Sequence, residues 1–269
     1  MPQAISIDNF IDCHAGDGQL ELCGKLAISR AILDAEKDSS LYVDPTGRKQ
    51  HPNYSALGTT WYSAFMQLLT QNCRIAYLPE RLARITFVVF NYDRCVEQFL
   101  FHGIQNYYGI DAEAAARLLT HLRIFHPYGA VGTLPWQRQP NPIAFGEQVS
   151  PKQLLDVAAG IKTFTEGTDP HASDIKELRE SLRGATTLLF LGFAYHQMNL
   201  KLLKPEVPHG KPADVRYFGT ASGMSDSDVD LVKDDLVAMA SVQPGCVVLR
   251  NDLKCAEFFR EYWRSLSLG

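Results

Sequence analysis

Four stretches of the chain place polar or glycine residues where an apolar, β-branched run gives way to an amphipathic one. In the first, Ile85-Thr86-Phe87-Val88-Val89-Phe90 leads into Asn91-Tyr92-Asp93; in the second, Arg123-Ile124-Phe125 leads into His126-Pro127-Tyr128-Gly129. The third run, Leu188-Leu189-Phe190-Leu191, ends in Gly192-Phe193-Ala194-Tyr195-His196, and the fourth passes from Tyr217-Phe218 to Gly219-Thr220-Ala221-Ser222-Gly223. An amide, a carboxylate and an imidazole gathered at one edge can orient a sugar, stabilise a developing positive charge and take up a proton. Glycine lets the backbone approach a ligand closely, and a following helix N-terminus offers N–H groups to an anion.

Each feature also has a plainer use. Asn and Asp are preferred helix N-caps, so either could do no more than cap a helix expected over Arg94–Gln105. A single histidine at a strand end is more often a structural residue than a base. Ser225 followed by Asp228 could start the next helix. Two polar side chains around one aromatic exceed what a single cap needs, and both readings stay open at this point.

The elements that would position these residues follow from periodicity. Leu20, Leu22, Leu26, Ala27, Ile32 and Leu33 form one helical stripe, and Trp61, Phe65, Leu68 and Leu69 another, which makes residues 1–80 a helical N-terminal region. From residue 81 to 269, short apolar runs over Ile85–Phe90, Arg123–His126, Thr187–Leu191, Val215–Phe218 and Cys246–Leu249 alternate with helix-like segments. Strands separated by helices imply parallel pairing, so the expected fold is α/β: a Rossmann-like, largely parallel sheet flanked by helices, with a helical N-terminal layer. Ligands of such folds lie at the carboxyl ends of the strands. Asp38–Gly58, with Pro45, Gly47 and Pro52, reads as a loop, and Gly129–Ser150 is aperiodic and rich in Pro and Gly.

The bulk properties exclude several classes. With 269 residues, 46% hydrophobic content and a formal net charge of -4, the chain can bury a sizeable core, and nothing favours a polyanionic partner. The six cysteines form no CxxC pair, and no apolar run approaches the roughly 18 residues that span a bilayer. Met1-Pro2-Gln3-Ala4 begins no signal peptide, so a cytoplasmic protein is expected. Oligomeric state has no legible signal.

In order and spacing, Phe90-Asn91-Tyr92-Asp93, Ile124-Phe125-His126-Pro127-Tyr128-Gly129, Leu191-Gly192-Phe193-Ala194 and Gly219-Thr220-Ala221 resemble the sirtuin-like family. The likeness is to its non-deacetylase branch, associated with bacterial NAD-consuming defence proteins. The first segment stands where sirtuins carry Thr-Gln-Asn-Ile-Asp. Ser6-Ile7-Asp8-Asn9-Phe10 and Gly24-Lys25-Leu26-Ala27-Ile28 are similar to segments that precede it, and the resemblance covers most of the chain. It implies NAD as substrate or ligand, contacted by Phe90, Asn91, Asp93, Tyr128, Gly192, Phe193, Ala194, Gly219 and Thr220, with no metal. It also implies Asn91, Asp93 and His126 as catalytic residues that break the nicotinamide–ribose bond through an oxocarbenium-like transition state. Asp93 would engage the carboxamide, Asn91 the ribose or an attacking water, and a nearby imidazole would accept a proton.

Three departures accompany the resemblance. The Gly-Ala-Gly-x-Ser turn that cradles pyrophosphate is absent, so the expectation is a truncated product or a protein that does without the cradle. The family histidine directly precedes its glycine, and here that position is Tyr128; His126, two residues earlier, would share its strand face about 6–7 Å away. The CxxC zinc ligands of deacetylases are missing, which argues against acetyl-lysine chemistry. Glycohydrolase chemistry is one expectation, and a catalytically silent nucleotide-binding or assembly module the other.

Overall fold

The computed structural model describes residues 7–14, 16–44, 46–47, 49–163, 173–204 and 215–268; Met1–Ala4, Ser6 and Pro45 lie outside them. Its first elements are helices α1 (Ile7–Cys13), α2 (Gly18–Asp38), α3 (Tyr54–Leu57), α4 (Trp61–Thr70) and α5 (Leu78–Ala83). Strand β1 (Thr86–Val88), α6 (Cys95–Tyr108), α7 (Ala112–Leu119), β2 (Arg123–Phe125) and α8 (Pro151–Ala159) follow. The remainder is α9 (Ser173–Arg183), β3 (Thr187–Phe190), α10 (Gln197–Leu203), β4 (Arg216–Thr220), α11 (Asp226–Ala240), β5 (Val247–Arg250) and α12 (Cys255–Glu261).

The expected Rossmann-like sheet does not form. Among the described residues the fold is mostly helical (53%), and the strands, three to five residues each, make two small parallel sheets of two and three strands. The architecture is therefore mostly helical, and it is not the Rossmann, sirtuin or NAD-hydrolase architecture that the resemblance implied. All five apolar runs do contribute a strand, and the pairing is parallel: β1 with β2, and β4 between β3 and β5. Length is what fails. Val89 N still donates to Phe125 O, but beyond it Pro127 has no N–H for a ladder, and Gly129 N turns back to His126 O at 2.9 Å.

The chain divides into two compact units, one made of Met1–Leu57 and Asn72–Asp169, the other of Gly58–Gln71 and Pro170–Gly269. In the first, α2 packs along α8, and a core forms from Ile28, Leu33, Tyr92, Tyr128, Val131, Ile143, Val157 and Ile161. Asp17 starts α2 by accepting from the N–H groups of Gln19 and Leu20, as an N-cap should. A buried ion pair holds this unit together. The guanidinium of Arg94 meets the carboxylate of Glu36 from α2, both side chains 1% exposed, and also donates to the carbonyls of Ile143 and Ala144. Gly146 N donates to Glu36 Oε2 at 3.0 Å. The aperiodic stretch Gly129–Ser150 is thus fixed by charge-assisted hydrogen bonds from its backbone to one buried pair.

In the second unit β4 is central, with Tyr217, Phe218 and Thr220 buried. Helix α4 packs on α12, where the Trp61 ring lies parallel to Phe259 at 6.3 Å and Phe65 meets the same ring edge-on. Ser225 Oγ accepts from Asp228 N at 3.2 Å, so the expected cap starts α11. No described helix is long and apolar enough to cross a membrane.

Candidate functional site

In the first unit the site grows from the turn between β1 and α6. Tyr92 points inward, 7% exposed, and its hydroxyl donates to Lys162 O at 3.1 Å, while Asn91 is exposed and Asp93 half-buried. Asp93 Oδ1 accepts from Cys95 N at 3.0 Å and so closes the turn leading into α6, but the N-cap position itself is Arg94 and has no side-chain cap. Asn91 Nδ2 donates to the other Asp93 oxygen, and Asn91 Oδ1 accepts from Tyr92 N. The two polar side chains therefore organise each other as well as the turn.

His126 follows directly on β2, beside that turn. Its Nε2 lies 2.7 Å from Glu97 Oε1 on α6, and its Nδ1 lies 3.4 Å from the Asn91 carbonyl oxygen. Burial pushes the imidazole pKa down. The hydrogen bond to Glu97, the charge of that carboxylate, the Asn91 carbonyl and the nearby Asp93 outweigh burial and hold the pKa above the ordinary histidine value. Asn91, Asp93 and His126 thus meet at the carboxyl ends of two paired strands.

Phe90 and Tyr128 take a different place. Tyr128 is 3% exposed in the core cluster, and Phe90 packs against it with ring centroids 6.0 Å apart. Tyr128 and His126 do not share an accessible face, because the Pro127 turn ends the regular strand between them.

The second unit has its own strand-end site. A cavity of about 690 Å³ is lined by Gly192, Phe193, Ala194 and Thr220, together with Trp61 and Lys254. Gly192 N donates to Thr220 Oγ1 at 3.0 Å, the Tyr195 hydroxyl donates to Thr220 O, and Cys255 Sγ stands 3.8 Å from Thr220 Oγ1. Gly219 lies beneath this layer. A Cβ there would meet the Tyr195 hydroxyl at 2.2 Å and Leu249 Cδ2 at 2.8 Å, so the glycine makes room for Tyr195.

Sequence reasoning missed Glu97 in the first site, and Trp61, Lys254 and Cys255 in the second. Glu97 carried no usable signal, since Glu97 and Gln98 side by side in a helix read equally as its solvent face, and only the structure shows both buried. Trp61 and Cys255 carried none, since both also serve as ordinary apolar positions of helices. Among the described residues, no group of three or more His, Cys, Asp or Glu could hold a metal ion. No protein-family model, curated protein or solved structure matches the chain.

Proposed function

We propose that this protein binds a nicotinamide dinucleotide of the NAD class and hydrolyses its nicotinamide–ribose bond with Asn91, Asp93 and His126. The observation that supports this most is the convergence of an amide, a carboxylate and an imidazole at the ends of β1 and β2, with His126 Nδ1 3.4 Å from the backbone of Asn91. The strand-end side chains support the reading; the architecture does not. In the reaction a water oxygen bonds to the ribose C1′ while the C–N bond breaks. The bonding pair leaves with the pyridinium ring, giving neutral nicotinamide, and the proton that water releases goes to His126. Asn91 orients the water or ribose, and Asp93 holds the carboxamide. Fixed dipoles aimed at the developing charge act mainly on the transition state.

The test is incubation with NAD and chromatography of released nicotinamide. Release should fall about 100-fold or more in His126→Ala and in Asn91→Ala, within the range for loss of a positioned base. No release from the parent, or equal release from all three, would sink the proposal.

A second reading, binding without turnover, is favoured by the cavity of the second unit. Its lining includes aromatic Trp61 and Phe193 and cationic Lys254, with no carboxylate or imidazole among the described residues, so it suits holding a nucleotide better than acid–base chemistry. On this reading calorimetry with NAD shows heat of binding that Trp61→Ala abolishes, with no nicotinamide formed. Turnover by the parent would rule it out.

A further inference from the structure

The atoms facing the His126 ring are both acceptors: Glu97 Oε1 at 2.7 Å from Nε2 and the Asn91 carbonyl oxygen at 3.4 Å from Nδ1. A neutral imidazole has a single N–H, so it can satisfy only one of them and turns a lone pair toward the other. The doubly protonated ring satisfies both. Glu97 adds a second observation. Its side chain is 4% exposed, yet its Oε2 is buried with no hydrogen-bond partner. A half-satisfied carboxylate in a helix core is poorer for folding than an apolar side chain of similar size. The one Glu97 oxygen that has a partner is the one facing His126.

We propose that Glu97 and the Asn91 carbonyl hold His126 as a cation in the resting protein, so that the strand-end site gains a base only when that proton is lost. Glu97 is then a positioning residue, acting through His126 without touching a substrate. The charged groups that face the ring are Glu97 from α6 and Asp93 from the β1–α6 turn, both carboxylates, and both favour the cation. For catalysis, the consequence rests on the hydrolase reading: the rate would climb with pH as His126 loses its proton, and the site would be silenced by acid.

The experiment is NMR observation of the histidine ring nitrogens across pH, with the His126 signal assigned by its loss in His126→Gln. In the parent, the doubly protonated ring should persist up to a midpoint above the ordinary value of about 6.5. In Glu97→Gln, which keeps the shape and removes the charge, the midpoint should fall below the parent's. Where NAD is hydrolysed, the acid limb of kcat/KM should coincide with the parent midpoint and move to lower pH in the variant. One pH unit below the parent midpoint, the parent would run at about a tenth of its plateau and the variant closer to its own. A midpoint at or below the ordinary value, or one unmoved by Glu97→Gln, overturns the inference. Should the variant not fold, the parent midpoint decides alone. Absence of nicotinamide release with the expected titration sinks the hydrolase reading and leaves the cationic pair standing.

Discussion

Replacing Arg94 with alanine is expected to lower the unfolding free energy by about 3–5 kcal/mol, the usual cost of breaking a buried ion pair from one side. Urea unfolding followed by circular dichroism would measure it, and a loss below about 1 kcal/mol, typical of an exposed pair, would show that the pair is not buried as described. The size follows from what is left behind. Glu36 would keep a charge at 1% exposure without its guanidinium, and the carbonyls of Ile143 and Ala144 would lose their donor. For the same reason the double variant Glu36→Met with Arg94→Met should not recover parental stability. Simple ion pairs can be exchanged for apolar residues at little cost, but here the Gly146 N–H and two carbonyls also depend on the pair.

The second large effect is expected at Gly129, where alanine should cost about 3 kcal/mol, combining a left-handed backbone with overpacking. Gly129 has φ +80°, and a Cβ there would stand 2.0 Å from the carbonyl oxygen of Gly160, an atom of the backbone that cannot swing away. The turn it closes holds His126 at the end of β2 and sends Tyr128 into the core. Gly129→Ala should therefore lower the melting temperature and displace the His126 ring signal together. A variant with parental stability would mean that the turn is not built as described.

Local patterns located the elements well. The stripe from Leu20 to Leu33 falls within α2, that from Trp61 to Leu69 within α4, the helix expected over Arg94–Gln105 is α6, and each apolar run yields a strand. That the strands form two short sheets and not one was not legible, because ladder length depends on the partner strand and on where the chain must turn. Ile85–Phe90 is apolar for six residues but pairs regularly over three, since its neighbour stops at His126-Pro127. That Asn91 and Asp93 would accept from nearby backbone N–H groups ahead of a helix could be read from their type. The partners that define the first site could not: Glu97 meets His126 across 29 residues, and Glu36 meets Arg94 across 58, with nothing in either neighbourhood naming the other. Phe90 and Tyr128 were implied as ligand contacts by the resemblance alone; in the structure Tyr128 is buried in the core and Phe90, half-buried, packs against it.

Helix α4 belongs with the second unit, yet the chain runs through most of the first unit before it reaches the rest of the second. The surface that receives Trp61 and Phe65 is supplied by Phe259 on α12. During synthesis α4 thus leaves the ribosome well ahead of its partner, a wait of roughly 10–40 s at about 5–20 residues per second. Throughout that interval Phe65, Leu68 and Leu69 remain an apolar face without its native cover, open to chaperones and to other nascent chains. The order in which the polypeptide emerges makes this short helix the segment most exposed to misassembly, although in the finished fold it is among the best buried.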